Sequence, residues 1–213
     1  MINNLIERYP VLKSIKEDII LAGKEWIKCY ENGGKLLICG NGGSCSDSDH
    51  IVGELMKGFL NLRPLSEDQK RIMKENCFAV TDVWLNRLQN GLPAISLNSS
   101  CTLNSAFCND VDPELVYAQQ LMGLGTKKDV LVCISTSGNS KNVYAAAVVG
   151  KSLGITVVSL TGESGGKLKE ISDISICVPE TETYKVQELH LPIYHYLCAE
   201  TENYFLESQT RGW

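Results

Sequence analysis

Five short apolar segments constrain the fold of this 213-residue chain more than any other feature. Each is apolar at nearly every position and is followed by a turn rich in Gly and Ser, and helical stretches separate the segments. This pattern is typical of parallel strands that are buried between helices. The predicted strands cover residues 35–39, 94–97, 129–134, 155–160 and 174–178. We therefore predict an α/β fold with a five-stranded parallel sheet and helices on both faces.

Long helices are predicted at both ends of the chain. Apolar residues at helical spacing predict one helix over residues 2–32, which Gly33 and Gly34 end. A second is predicted over residues 182–207, where Pro192 should kink the helix just before His195. With 44% hydrophobic residues, the chain has enough apolar side chains for one core. We expect residues 1–213 to form a single domain.

Residues 61–91 have helical apolar spacing and many charges but no strand pattern, so we predict a helical insertion after the first crossover helix. One hypothesis is a cover that brings positive charge toward an anionic substrate. The alternative is a solvated decoration of the surface. The basic residues at issue are Lys70, Arg71, Lys74 and Arg87.

Charge and composition argue against several classes of protein. The net charge is −5 and no Lys/Arg-rich run occurs, which disfavours nucleic-acid binding. The longest apolar stretches are too short to span a bilayer, and the N-terminus does not resemble a signal sequence, so we expect a cytoplasmic protein without a membrane partner. The nine cysteines are odd in number and lack a Cys-x-x-Cys pair, which predicts reduced thiols.

Two polar loops follow the first and third predicted strands, at residues 40–47 and 135–140. Ligands of α/β sheets bind at the carboxyl ends of strands, and free amides at helix starts hold phosphate together with hydroxyl groups. Either loop alone could instead be a turn with an N-cap, but two such loops favour a phosphate site. The hydroxyl side chains concerned are Ser44, Ser135, Thr136, Ser137 and Ser140.

Nucleotide-binding patterns do not match the first loop. Cys45 stands where the dinucleotide fingerprint requires Gly, and no Gly-Lys-Ser/Thr of a P-loop is present. The position of Cys45 near a predicted helix start leaves two interpretations, an acidified reactive thiol or a small apolar filler. A single phosphate therefore fits these loops better than a nucleotide.

Four residues on two predicted helices carry acid/base and metal-ligand chemistry. His50 and Glu54 are four apart and share one helix face, although such pairs are often ordinary surface pairs. Gln187 and His195 are eight apart and converge only if Pro192 bends their helix. The four residues could bind zinc, or Glu54 and His195 could transfer protons without metal. The third histidine, His190, is interpreted as a packed or hydrogen-bonded residue.

The motifs together resemble the phosphoheptose isomerase family, which has the sugar isomerase (SIS) fold. They are Gly40-Asn41-Gly42-Gly43-Ser44, His50-x-x-x-Glu54, Ser135-Thr136-Ser137-Gly138-Asn139-Ser140, Thr161-Gly162 and Gln187-Glu188-x-His190 with His195. The resemblance implies conversion of sedoheptulose 7-phosphate to a heptose phosphate by a homotetramer with sites between subunits. We expect a homo-oligomer, either this tetramer or a dimer.

The resemblance also implies roles for individual residues. Glu54 and His195 correspond to the catalytic base and acid. The implied zinc ligands are His50, Glu54, Gln187 and His195. The implied substrate contacts are Asn41, Gly42, Gly43, Ser135, Thr136, Ser137, Ser140, Glu54 and Gln187.

Some family features are replaced in this chain. Gly58, beside Lys57, stands where the family usually has Arg, Tyr184 stands where it has a carboxylate, and residues 97–109 lack an expected Asp. A second hypothesis is a non-catalytic SIS protein that senses sugar phosphates or acts as an oligomeric adaptor. Such a protein needs neither Glu54 nor His195, so the presence of both favours the enzyme.

Overall fold

A five-stranded, entirely parallel sheet forms the centre of the molecule in the computed structural model, which describes residues 1–209. The last four residues of the predicted domain 1–213 lie outside the described residues. The α/β prediction is confirmed, and each strand end lies within one residue of its predicted place. The strands are β1 (Leu36–Gly40), β2 (Ala94–Ser96), β3 (Val130–Ile134), β4 (Thr156–Thr161) and β5 (Ile174–Cys177), in the spatial order β2-β1-β3-β4-β5.

Helices cover both faces of the sheet. They are α1 (Ile2–Arg8), α2 (Lys16–Glu31), α3 (Gly43–Met56), α4 (Glu67–Asn76), α5 (Asp82–Leu85), α6 (Cys101–Asp110), α7 (Val116–Leu124), α8 (Lys141–Ser152), α9 (Gly166–Ile171) and α10 (Thr183–Gln209). Short 3-10 helices span Pro10–Ile15 and Pro113–Leu115. Each face of the sheet has its own hydrophobic core, and successive strand residues point to opposite faces. Leu36 and Ile38 pack with α2, α3 and α10, whereas Leu37 and Cys39 pack with α7 and α8.

The prediction of one helix over residues 2–32 is wrong. Helix α1 ends before Tyr9, which has φ −130° and ψ 73°, and the chain passes through the 3-10 helix before α2 begins. Pro10 is the cause, because the ring of a proline disfavours helical geometry at the residue before it. The predicted C-terminal helix is present, and it continues through Pro192 as α10.

The insertion contains α4 and α5, and an antiparallel bridge between Pro64 and Gln89 pairs its two ends with each other. Helix α4 buries none of its side chains, and Phe78 in the following turn is fully exposed. Three of the basic residues of the insertion are paired inside it: Lys70 with Glu67, Arg71 with Asp68 and Glu75, and Lys74 with Asp82. Their charge is therefore balanced locally, which favours the surface decoration over the electrostatic cover, and the choice between these two hypotheses remains open to kinetic tests.

The strand order places a topological switch point between β1 and β3. Strand β1 pairs with β2 on one side and with β3 on the other, so the crossovers from these strands leave in opposite directions. Open α/β sheets bind ligands in the crevice at such a point. The final register pair is Gly40 with Ile134, so both polar loops begin side by side at this crevice. Among residues 1–209, no helix is both long and apolar enough to cross a membrane.

Candidate active site

The first loop turns sharply from β1 into α3. Gly42 has a positive φ of 57°, which favours glycine. A Cβ added at Gly43 would lie 2.3 Å from the Nε2 atom of Gln187, so only glycine lets the amide of Gln187 approach the start of α3 this closely. Asn41, Gly42 and Gly43 are exposed, whereas Ser44 is buried against Gly40. The loop therefore presents exposed backbone beside a helix N-terminus.

The second loop connects β3 to α8. The hydroxyl groups of Ser135 and Ser140 lie 3.0 Å apart, and the backbone N–H of Asn139 donates to the hydroxyl of Ser137. Gly138 has φ 65°, and a Cβ added there would lie 2.0 Å from the carbonyl oxygen of Gly165. Ser135 is buried, Thr136 and Ser140 are half-buried, and Ser137 is exposed. The four predicted hydroxyl groups thus line one short turn.

Side chains join the two loops. The Asn41 amide donates to Asn142 at 2.8 Å, and the Asn142 amide donates back to Asn41 at 3.0 Å. The hydroxyl of Tyr117 lies within hydrogen-bonding distance of the Gly40 carbonyl and of the Asn41 side chain. Sequence reasoning missed Asn142 and Tyr117, because their role depends on contacts between elements distant in the chain. These contacts hold the two loops at a fixed separation.

The structure brings His50, Glu54 and His195 together at the interface of α3 and α10. The Nε2 atom of His50 lies 3.1 Å from Oε1 of Glu54 and 3.4 Å from Nε2 of His195. Potential ligand atoms of all three residues lie within 4.8 Å of one another. Tetrahedral zinc with bonds of about 2.0–2.1 Å spaces its ligand atoms about 3.3 Å apart. This donor set therefore fits a divalent ion such as zinc.

Gln187, the fourth predicted ligand, is also on α10, and its amide group lies against Gly43 at the start of α3. The described cluster of histidine and carboxylate ligands is made by His50, Glu54 and His195. The prediction that Gln187 joins them remains a prediction. Its position next to the first loop fits its predicted contact with substrate.

Burial alters the proton affinities of groups around this cluster. Burial and the neighbouring His50 lower the pKa of His195, so its imidazole is neutral at neutral pH. Asp47 and Tyr194 lie beside His50, and burial raises the pKa of each of them. The hydroxyl of Tyr194 lies 3.0 Å from Nδ1 of His50 and 3.2 Å from Oδ1 of Asp47. Sequence reasoning did not single out Asp47 or Tyr194.

A tight turn after α3 closes one side of the cluster. The carboxylate of Glu202 accepts hydrogen bonds from the backbone N–H groups of Phe59, Leu60 and Asn61, at 2.7, 2.8 and 3.0 Å. This holds the Phe59 ring 5.5 Å from the ring of His195, measured between centroids. The backbone of this turn is therefore fixed by the buried carboxylate of Glu202 on α10.

Arg63 holds the same turn from its other side. Its guanidinium group donates to the carbonyl oxygens of Leu55 and Lys57, and its Nε lies 3.5 Å from Oε1 of Glu202. A Cβ added at Gly58 would lie 2.3 Å from the carbonyl oxygen of Asn61. The turn therefore requires glycine at the position where the resembled family usually carries Arg.

The structure decides between the two interpretations of Cys45 and tests the interpretation of His190. Burial raises the pKa of the Cys45 thiol, so it is not an acidified nucleophile. His190 is fully buried, and its Nε2–H donates to the Thr161 carbonyl oxygen at 3.3 Å, which confirms the packed, hydrogen-bonded interpretation. Burial lowers the pKa of His190 to about 4.

His190 should make stability depend on pH. Between the ordinary histidine pKa of about 6.5 and the folded value of about 4, the unfolded chain binds a proton that the folded chain does not, so stability is lost as pH falls. We expect the free energy of unfolding of wild type to fall by about 3 kcal/mol more than that of His190→Gln between pH 7 and pH 4. Urea unfolding of both proteins across this range measures it, and a difference that is constant with pH would contradict it.

Known structures share this fold. Phosphoheptose isomerases from Neisseria gonorrhoeae and Francisella tularensis superpose with TM-scores of 0.74 and 0.76. Each is 29% identical in sequence, and each match covers 94% of this chain and 94% of the other. Fold and site together define the class of SIS-domain sugar-phosphate isomerases.

Sequence comparisons narrow this class. A SIS-domain family model matches residues 85–162. The phosphoheptose isomerase of Helicobacter pylori is 37% identical over 214 residues, covering 96% of this chain and 98% of that protein. That of Methylibium petroleiphilum is 38% identical over 184 residues, covering 85% of this chain and 79% of that protein. The chain therefore belongs to the phosphoheptose isomerase family, which confirms the resemblance seen in its motifs.

Proposed function

We propose that this chain is a sugar-phosphate isomerase that interconverts a ketose phosphate and an aldose phosphate, with sedoheptulose 7-phosphate as the first candidate substrate. One observation carries the proposal: the carboxylate of Glu54 and the neutral imidazole of His195 converge between α3 and α10, and α3 begins at the first of the two paired phosphate-type loops. The names of the relatives from Helicobacter pylori and Methylibium petroleiphilum support the same substrate class.

Isomerisation requires a base at carbon and an acid at oxygen. Glu54 takes the proton from the carbon next to the carbonyl group, which gives an enediol, and returns it to the neighbouring carbon. His195 moves the proton between the two oxygens. Because its imidazole is neutral, its N–H can donate a proton to one oxygen, and the same nitrogen then accepts the proton of the other oxygen.

The phosphate group would bind at the paired loops. Two helices, α3 and α8, begin there, and a helix N-terminus favours a negative charge. The proposed contacts are Asn41, Gly42, Gly43, Ser44, Ser135, Thr136, Ser137, Ser140 and Gln187. Ser44 and Ser135 are buried, so we expect their contribution to be to the shape of the loops more than to direct contact.

A zinc ion is the proposed cofactor, held by His50, Glu54 and His195 and completed by Gln187. The donor types, two imidazole nitrogens with a carboxylate and an amide oxygen, are ones that zinc accepts. When bound, the ion would polarise the oxygens of the substrate as a Lewis acid. The crowding of three ligand atoms within 4.8 Å of one another supports this proposal.

A panel of ketose phosphates with five to seven carbons tests the function. The purified protein is incubated with each sugar, with and without added zinc, and formation of the matching aldose phosphate is followed. We expect turnover of at least one member, which Glu54→Gln abolishes. No turnover of any member under either condition would contradict the proposal.

We also propose a homo-oligomer, a tetramer as the family resemblance implies or a dimer. Apolar side chains on the terminal helical elements support it, because Val11, Leu21 and Leu191 are each at least 40% exposed. Sedimentation at micromolar concentration should therefore give a mass that is a multiple of the chain mass. A monomer with full activity would contradict this prediction.

The cytoplasm is the proposed location of the enzyme. All nine cysteines lie among the described residues, and each is a free thiol. Reduced thiols of this number are typical of a reducing compartment.

A further inference from the structure

Asp47, Tyr194 and His50 form a chain of hydrogen-bonding groups that leads away from the acid/base cluster. Tyr194 is buried on α10, and its hydroxyl reaches across to two residues of α3, at 3.2 Å from Oδ1 of Asp47 and 3.0 Å from Nδ1 of His50. The ring of Tyr194 also meets the rings of both histidines edge to face, with centroids 5.4 Å from His50 and 5.1 Å from His195.

We propose that Asp47 and Tyr194 act as a positioning relay that places the proton of His50 on Nδ1 and so leaves a lone pair on Nε2, directed into the cluster. The effect of the relay on metal binding rests on the proposed zinc site. The position of the proton on His50 does not, because it is a property of the protein alone.

The direction of the relay follows from what each group can donate. A tyrosine hydroxyl has one hydrogen, and an ionised carboxylate only accepts. If Tyr194 donated to His50, then Oδ1 of Asp47 would face an oxygen at 3.2 Å with no hydrogen between them. The other carboxylate oxygen, Oδ2, is buried and has no hydrogen-bond partner within residues 1–209. A half-buried carboxylate left without a donor is costly, so Tyr194 donates to Asp47.

His50 must then donate from Nδ1 to the oxygen of Tyr194. Its Nε2 is left as an acceptor that faces Glu54 and His195, at 3.1 and 3.4 Å. The carboxylate of Glu54 would also accept a hydrogen bond from a proton on Nε2 of His50. It needs this hydrogen bond less, because Nζ of Lys57 lies 3.4 Å from its other oxygen, Oε2. An outer group that fixes the tautomer of a ligating histidine typically changes metal affinity by about 10- to 100-fold when it is removed.

Nuclear magnetic resonance of protein labelled with 15N in histidine tests the relay directly. The chain has only three histidines, so the signals can be assigned with single variants. In metal-free protein at mildly alkaline pH, we expect the neutral imidazole of His50 to carry its proton on Nδ1. In Tyr194→Phe the acceptor is lost, and the proton should move to Nε2 and bond to Glu54. A wild-type His50 protonated on Nε2 would overturn the relay.

Zinc affinity gives a second readout that does not depend on turnover. We expect Tyr194→Phe and Asp47→Asn to weaken zinc binding by about 10- to 100-fold in competition with a chelator. The matched controls are Tyr196→Phe, a neighbouring tyrosine on α10, and Asp49→Asn, whose carboxylate bonds Ser99 instead. Both controls should bind zinc as wild type does.

The two readouts separate the relay from the metal site. Wild type that binds no zinc but carries the proton of His50 on Nδ1 would contradict the proposed cofactor and leave the relay standing. Variants with the wild-type tautomer and with zinc affinity within about twofold of wild type would overturn the relay. Circular dichroism tests whether each variant is folded. If Asp47→Asn does not fold, Tyr194→Phe alone still tests the relay.

Discussion

Replacing Glu54 by Gln is expected to lower kcat by about a hundredfold to ten-thousandfold, while the protein still binds the sugar phosphate. Gln keeps the shape of the side chain but is not a base at neutral pH. The phosphate loops, which supply most of the proposed binding contacts, do not depend on the carboxylate. Steady-state kinetics with the substrate found in the panel gives kcat, and calorimetry gives the dissociation constant of the sugar phosphate.

The control for this variant is Asp49→Asn, which removes a carboxylate from the same helix without touching the cluster. Because Glu54 is also a proposed zinc ligand, both variants are assayed at saturating zinc and their metal content is measured. Full activity of Glu54→Gln would remove Glu54 from the mechanism. Lost activity that zinc restores would assign Glu54 a role in metal binding alone.

Replacing Glu202 by Gln is expected to destabilise the protein by about 3–5 kcal/mol, because it leaves the charge of Arg63 buried without its partner. Only 2% of the Glu202 side chain and 4% of the Arg63 side chain are exposed. The carboxylate also accepts three backbone hydrogen bonds from the turn that carries Phe59, and an amide can replace these only in part. Urea unfolding at a fixed protein concentration measures the change.

Glu67→Gln is the matched control, since it makes the same substitution in a pair whose glutamate is 90% exposed. An exposed pair of this kind contributes about 0–1 kcal/mol, so this variant should unfold almost as wild type does. If Glu202→Gln lost no more stability than Glu67→Gln, the buried pair would not be what holds the turn. We also expect a raised KM in Glu202→Gln, because Phe59 packs against His195.

The sheet could be predicted because its signal is local. A parallel strand that is buried on both faces shows as a short apolar run, and strand ends fall where Gly and Ser begin. The two polar loops were found for the same reason. Pro10 was an equally local signal for the break between α1 and α2, and the apolar spacing on either side of it concealed that break.

The environment of the site could not be predicted, because it depends on long-range contacts. Tyr194 and Asp47 are 147 residues apart in the chain, and the hydrogen bond of Phe59 to Glu202 spans 143. Nothing at Tyr194 itself distinguishes it from the other tyrosines of α10. For the same reason, the sequence did not show whether His195 lies near His50, because this requires the packing of α10 on α3.

Solvent deuterium exchange tests the central claim, proton transfer by Glu54, most directly. The ketose phosphate is incubated with wild type or Glu54→Gln in heavy water, and deuterium entering the carbon next to the carbonyl group is followed by mass spectrometry. The account predicts incorporation by wild type and a rate at least about a hundredfold lower in Glu54→Gln. Equal rates of incorporation in the two proteins would contradict it.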